Sequence, residues 1–374
     1  MASFNEVSAG SNVNVSAIVG AEVRNVSRNG TSVYFEYRAY IYQSTSTYSY
    51  NSWALWVEGN KNTVFNSSNG SYHTSQNTKY YTGWYGKTVT LGVSSTSTTV
   101  SIGVNGKLWN PSSPNGYVDL TLSGLPTCSA PTLSGISTSE LSDTSVKASF
   151  SVTSSNNGTV NDHYIDIFTD SACTNKVGTI SSNSGTFIGL NPNRTYYIRG
   201  NASNAAGRSY TAVKSITTTF TNPGAPSNLK ITCSNPEPII AANYTFSWNA
   251  GSAGSTAIAG YRLRIYKNGT EIECIDTEST GTSYTINAQD KGFAVGDVMS
   301  FGLYSYSKDW ANNKHFNGGG AGSAQVTSSG VTMVSDKFVY LSQNGGTFTK
   351  YKVYISVSGG TFTEVKKEKL KIIS

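Results

Sequence analysis

Between Val33 and Tyr42 the side chains alternate without a break: Val33, Phe35, Tyr37, Ala39 and Ile41 share one parity, and Tyr34, Glu36, Arg38, Tyr40 and Tyr42 share the other. A period of two belongs to a strand and not to a helix, whose same-face residues recur at three and four. The apolar parity predicts a core face, and the mixed parity predicts a solvated one. Further runs at Thr88–Val93, Thr98–Val104 and Tyr117–Leu122 supply enough strands for an N-terminal β-sandwich over residues 1–126.

Composition extends this to the whole chain. Only 13% of the residues are charged, the apolar residues are largely Val, Ile, Tyr and Phe, and Ser, Thr and Asn dominate the rest. That vocabulary argues against a helical bundle or a doubly wound α/β enzyme. With 24 Tyr, 14 Phe and 6 Trp at a net charge of +6, it also argues against disorder. The 374 residues suggest about three domains. The expectation is an all-β protein of tandem β-sandwiches.

Pro and Gly punctuate the chain at Leu125-Pro126 to Ala130-Pro131, at Asn222-Pro223-Gly224-Ala225-Pro226 and at Asn317–Gly322. The first two read as short, stiff spacers between domains. The third reads as a mobile loop inside a module that continues through Ser323–Val326. The expected domains are 1–126, 127–220, 221–330 and a tail, 331–374. In that tail Val339–Thr349 is echoed by Val353–Thr363, each copy reading strand, Gly-Gly turn, strand. Two hairpins bury little by themselves, so the tail is expected to need a partner surface. It also holds seven Lys (337, 350, 352, 366, 367, 369 and 371) against Asp336, Glu364 and Glu368, which places most of the basicity at one end. The candidate attachment residues are Phe338, Tyr340, Phe348, Tyr354 and Phe362. Basicity confined to a tail is not the footprint of a nucleic-acid reader.

Leu190, Pro192 and Tyr196, followed by Ala202, Asn204 and Gly207, resemble the late part of a fibronectin type III module. That resemblance implies a sandwich in which Pro192 turns the chain, the Tyr196 hydroxyl closes a corner by a hydrogen bond and Ile198 enters the core. Residues 221–330 resemble a second such module through Pro226–Ile231, Phe246-Ser247-Trp248 and Gly260–Gly269, with Trp248 as the buried tryptophan. At its corner Gly296–Phe301 stands where the Leu-x-Pro-x-x-x-Tyr pattern is expected.

Chemistry finds little support. His73, His163 and His315 fall in three different modules, so a catalytic triad or a His-based metal site would have to cross linkers. Glu36, Glu58, Asp162 and Asp166 could pair as glycosidase carboxylates, but on sheet faces they read more naturally as solvated cross-strand charges. No phosphate-cradling Gly loop opens a helix. No enzyme activity, cofactor or metal is expected. Cys128, Cys173, Cys233 and Cys274 read as thiols, with 128–173 and 233–274 as the conceivable bridges. The start, Met1–Glu6, lacks the features of a secretory signal, and no apolar run reaches the length of a spanning helix; neither ordinary export nor membrane insertion is expected.

Binding is better supported. Aromatic residues crowd the N-terminal domain, and Tyr80, Tyr81, Trp84 and Tyr85, with Trp53 and Trp56, are the candidate ligand residues. Rings beside Asn, Gln and Ser suit the stacking of a sugar, and Tyr and Trp are equally enriched in protein contacts.

Taken together, fibronectin-like modules, an N-terminal sandwich rich in Ser, Thr and Tyr and a short repeated tail resemble virion-exposed structural proteins of tailed bacteriophages. The strand pair around Tyr34–Tyr42 and Trp53–Val57 is similar to sandwich modules of phage minor tail proteins. The resemblance implies a virion component made in the host cytoplasm and released by lysis, with other virion proteins and host-surface polysaccharide as partners and a homo-oligomeric state. The alternatives are a capsid decoration or head-fibre protein and a bacterial cell-surface adhesin.

Overall fold

The computed structural model describes residues 17–43, 49–50, 52–57, 60–66, 72–73, 79–107, 117–319, 325–334, 338–342 and 348–352. Among these the regular elements are strands, apart from one 3-10 turn at Asn317–Gly319. No helix among the described residues is long and apolar enough to cross a membrane. The chain divides after Thr219 into two compact units.

In the first unit, Ala17–Asn29, Ser32–Gln43, Lys79–Tyr81 and Tyr85–Thr90 form one sheet. Tyr117–Ser123, Ser97–Lys107, Ser52–Val57 and Asn60–Asn66 form another. The expected core parity holds: Val33, Phe35, Tyr37 and Ala39 are buried. The expected solvated parity holds at Tyr34 and fails at Tyr40, which is 1% exposed. Tyr40 pairs across the strands with Gly20, and a Cβ there would lie 2.3 Å from its ring. The missing side chain leaves a trough for the ring, which Tyr81 closes edge-on at 5.7 Å.

The same unit contains a fibronectin-like sandwich. Ser137–Ser139, Ser145–Ser149 and Ser184–Ile188 face a sheet of Lys176–Ile180, Asp162–Phe168, Thr195–Asn204 and Gly207–Tyr210, with Lys214–Thr217 also on Thr195–Asn204. Ile165, Ile167, Phe187, Leu190, Tyr196 and Ile198 fill the core. The Asn191 backbone N–H donates to the Tyr196 hydroxyl at 2.9 Å, which is the corner bond the motif implies.

The segment expected to act as a spacer around Pro126 is built into this unit instead. Leu125 and Cys128 are buried, and Cys128 N–H donates to the Val93 carbonyl at 2.8 Å. Arg28, 7% exposed, sends its guanidinium to the carbonyls of Gly30 (2.9 Å), Ser95 (2.8 Å), Pro126 (2.7 Å) and Gly92. Asn29 and Thr159 exchange hydrogen bonds, and Gly30 N–H donates to the Asn157 carbonyl at 2.7 Å. Gly30 turns the chain at φ +63°, and a Cβ there would lie 2.9 Å from Ala205, so both conformation and space require glycine.

The second unit packs Ser227–Cys233, Asn243–Asn249 and Ser283–Asn287 against a sheet of Thr270–Asp276, Ile258–Lys267, Val298–Lys308 and Lys314–Phe316. Trp248 is buried against Tyr261, ring centroids 5.1 Å apart. At the corner that lacks the motif, Met299 takes the second strand position that Tyr196 holds in the preceding module. The turn is closed by Asp297, which accepts from Ala294 N–H and from Asn268 Nδ2, while Asn268 Oδ1 accepts from Val298 N–H. The expected spacer around Pro223 is also bonded into its own unit, Gly224 N–H donating to the Ser252 carbonyl at 2.9 Å.

The limit expected at residue 330 falls inside this sheet. Val331–Thr332 pairs with Val298–Lys308, and Met333 is 1% exposed in the core, so the sandwich runs on to Val334. Beyond it, Phe338–Ser342 and Phe348–Lys352 form an antiparallel pair, the first copy of the tail repeat. The second copy lies outside the described residues, as do the loop residues 320–324. All four cysteines are unpaired, and neither conceivable bridge is formed.

Candidate functional site

The aromatic run that begins at Lys79 enters the first sheet as a short strand on Ser32–Gln43, with Tyr81 opposite Tyr40 and Tyr80 opposite Ile41. Adjacent residues of a strand lie on opposite faces, so Tyr80 and Tyr81 are separated by the sheet. Thr82 then closes the strand, its hydroxyl accepting from Ala39 N–H at 3.0 Å, and the chain resumes pairing at Tyr85 opposite Tyr37. Tyr85 stacks on the buried Tyr37 at 5.7 Å. Trp53 and Trp56 belong to the second sheet, opposite Phe65 and Lys61. The six residues grouped by sequence are thus carried by two different sheets. Tyr81 and Trp84 remain together.

These two rings lie in a lattice of charge. Glu22 pairs across the strands with Arg38, and Arg24 with Glu36. Arg38 donates through Nε and a terminal nitrogen to Glu22 at 3.0 and 2.8 Å, Tyr81 donates its hydroxyl to the other Glu22 oxygen at 2.8 Å, and Arg24 meets Glu36 at 2.7 Å. Each guanidinium also covers a ring: Arg24 lies 3.9 Å from the Trp84 centroid, and Arg38 lies 3.7 Å from Tyr81 and 4.8 Å from Trp84. Hydrogen bonds from Arg24 and Asn25 hold the Glu36 carboxyl below its ordinary range. Burial, then the Glu22 bond, pushes the Tyr81 phenol up, and burial pushes Lys79 down. Glu36 is thus committed to an ion pair, and Glu58 lies outside the described residues. Asp166 accepts from Thr179 and Asn201, and Asp162 from Ser203. Among the described residues no cluster of His, Cys, Asp and Glu could hold a metal ion.

A second charged and aromatic face, not apparent from sequence, lies on the second unit. Tyr304 and Tyr306 are 1% and 0% exposed, although their parity is opposite that of the core residues Phe301 and Leu303. Tyr306 sits over Gly260, where a Cβ would lie 2.5 Å from its hydroxyl. Arg262 covers Phe316 at 4.3 Å and Lys314 covers Tyr306 at 4.7 Å. Arg262 grips Asp276 through two bonds of 2.7 and 2.9 Å, Lys314 reaches Asp276 at 2.7 Å and also Glu278, and Lys308 meets Glu278 at 2.8 Å. Arg262 and then Lys314 hold Asp276 down at about 2, and Lys308 and Lys314 hold Glu278 at about 2. Burial opposes the charge on Lys314, but its two carboxylate partners outweigh that and raise its pKa. The partners come from four strands and, for Glu278, from the loop after one of them, so no local pattern marks the face.

In the tail, Phe338 pairs with Lys352, Tyr340 with Lys350 and Ser342 with Phe348, which puts Phe338, Tyr340 and Phe348 at register positions on one face of the hairpin. Tyr354 and Phe362 lie outside the described residues.

No protein-family model matches the chain, and no curated protein matches it. Among solved structures it is similar to the chicken CNTN1 FN1-FN3 domains, at 11% identity and a TM-score of 0.23, over 85% of this chain and 98% of that one. That score is too low to add to what the strand order already shows.

Proposed function

We propose that this chain is a non-enzymatic structural protein of a tailed-bacteriophage particle, built as consecutive β-sandwiches, exposed on the virion and meeting host-surface glycan. The observation that carries the structural role is the joint inside the first unit. Arg28 ties the Gly92 and Ser95 carbonyls of the N-terminal sandwich to that of Pro126 in the connecting segment, and its neighbours Asn29 and Gly30 bond Thr159 and Asn157 of the fibronectin-like module, so the two are coupled stiffly. Stiff coupling suits a projection that must hold its end away from a particle, and it serves no catalytic purpose.

The N-terminal face supports a protein contact better than a sugar contact. A sugar stacks on an open ring face, whereas Trp84 and Tyr81 each carry a guanidinium. Aromatic rings interleaved with arginine are what the centre of a protein interface favours. The tail, with its lysine surplus and repeated hairpin, is the proposed attachment to other virion proteins or to further copies of the chain.

Mass spectrometry of purified particles tests the reading. The chain should be present at a fixed copy number. Its absence from particles together with its presence in a bacterial wall fraction would replace this reading with that of an adhesin.

A further inference from the structure

We propose that Arg199, on the outer face of the fibronectin-like sheet in the first unit, anchors a binding site for acidic saccharides, with its guanidinium taking their carboxylate and Tyr210 their ring. Arg24, Arg38, Arg208, Arg262 and Arg264 each meet a carboxylate, and Arg28 meets carbonyls. Arg199 meets neither among the described residues. Its contacts are two rings, Phe168 at 5.4 Å and Tyr210 at 4.6 Å, and its Nε is buried without a partner.

The neighbouring carboxylates are engaged elsewhere. Asp166 stands opposite Arg199 in the sheet, yet it accepts from Thr179 Oγ1 at 2.6 Å and from Asn201 Nδ2 at 3.2 Å, and it meets Lys176 at 3.4 Å. Asp162 accepts from Ser203 and pairs with Arg208 at 3.5 Å. Of the Arg199 guanidinium only Nε is cut off from solvent, so its two terminal nitrogens are left to bind a carboxylate side by side, a geometry that an ammonium does not offer. Tyr210 is held in place by the residue after it: Thr211 N–H donates to the Gly200 carbonyl, and Gly200 N–H donates to the Thr211 hydroxyl, each at 2.9 Å. Groups that are already ordered lose little freedom when a ligand arrives, and this is the condition for useful affinity from a small contact.

The surroundings select the ligand class. Phe168 is buried, whereas Tyr210 is 55% exposed, so with Arg199 over one face its other face is open. The N-terminal face is the reverse case, its guanidiniums committed to carboxylates and its Tyr81 and Trp84 rings half-buried. An open ring takes the C–H face of a sugar, and an uncommitted guanidinium selects a sugar that carries a carboxylate. Lys214, exposed and opposite Ile198, adds a second cation with no acceptor among the described residues. A protein partner would want an apolar centre around the arginine. Beyond Tyr210 and the Val213 that follows it, the exposed large apolar residue of this sheet is Val177, on the opposite edge strand, three strand spacings or about 14 Å away.

This inference rests on the host-glycan part of the reading above and gives that ligand a class and a site. It is measured on the isolated full chain, so its failure is distinguishable from absence of the chain from particles. The experiment titrates trigalacturonate, a hyaluronan hexasaccharide and α2,8-linked trisialic acid into nitrogen-15-labelled protein, each beside its carboxyl-reduced, neutral form, and follows the backbone amides of Arg199, Tyr210 and Val213. At least one acidic sugar should shift these amides, and its neutral form should not. Arg199→Gln should weaken that binding about tenfold or more with an unchanged thermal transition, and Arg199→Lys should restore little of it. Tyr210→Ala, at an exposed position, should weaken it as well and keeps the test decisive if Arg199→Gln fails to fold. The proposal is overturned if no acidic sugar shifts these amides, if a neutral form binds equally, if binding survives Arg199→Gln or Tyr210→Ala, or if the peptide acetyl-Glu-Leu-Glu-amide shifts them and the sugars do not, which would make the partner a protein.

Discussion

Arg28 donates to the carbonyl of Pro126 at 2.7 Å, across 98 residues of chain, and the charge is buried without a carboxylate beside it among its hydrogen-bond partners. Four carbonyl oxygens share the guanidinium, so its removal leaves several buried acceptors unpaired. Arg28→Ala should lower the stability of the first unit by about 3 kcal/mol, and Arg28→Lys should rescue little, because an ammonium lacks the planar fork that reaches four acceptors. Urea unfolding followed separately for residues 1–219 and 220–374 checks this. A loss below about 1 kcal/mol would mean that water replaces the guanidinium at no cost.

Tyr196→Phe removes the acceptor for the Asn191 N–H at the corner and nothing else. The expected loss is about 1 kcal/mol in the first unit, the size of one part-buried hydrogen bond. Hydrogen exchange at the Asn191 amide should accelerate in the same variant. Unchanged exchange would show that the corner is held without the hydroxyl.

Acid should weaken the second unit in a defined window. The folded pKa of Asp276, about 2, lies below its ordinary 3.8, so its ion pairs stabilise the fold above pH 4 and that stability is lost as pH falls from about 4 through 2. Lys314 has the opposite sign: its raised pKa supports the fold below its ordinary 10.5 and ceases to do so in strong alkali. Thermal melts from pH 7 to pH 2.5 should show the acid loss in the native chain. Asp276→Asn should be less stable at pH 7 and should flatten the profile between pH 4 and pH 2.

Truncation separates folding from attachment. A chain ending at Val334 keeps the pairing of Val331–Thr332 and the buried Met333, whereas one ending at Ser329 loses both. The longer form should melt like the full chain in its second unit, and the shorter form several degrees lower, because removing Met333 opens a core site. On the proposed reading the longer form should also fail to join particles. Normal incorporation would move the attachment point out of the tail.

The alternation from Val33 to Ala39 was legible because a buried strand face imposes a period of two, and Leu190, Pro192 and Tyr196 were legible because that corner needs those residue types. Tyr40 was not, since its burial depends on a glycine twenty residues away that leaves room for its ring. The joint at Arg28 was equally hidden: its partners are backbone carbonyls, which every residue has. Nearness in sequence grouped Trp53 and Trp56 with Trp84, but the strands carry them into different sheets. Spacers were inferred from proline content, yet proline says nothing about whether neighbouring carbonyls find donors.

The seat of Tyr40 over Gly20 has a consequence for how the first hairpin finds itself. A slip of two residues between Ala17–Asn29 and Ser32–Gln43 would preserve the inward and outward parity, so hydrophobicity alone does not forbid it. After such a slip Tyr40 would face Ile18 or Glu22 instead of Gly20, and a Cβ would fill the space its ring requires. The pair acts as a key that fits one alignment, rejecting the misfolded hairpins that a Ser- and Thr-rich sequence would otherwise tolerate.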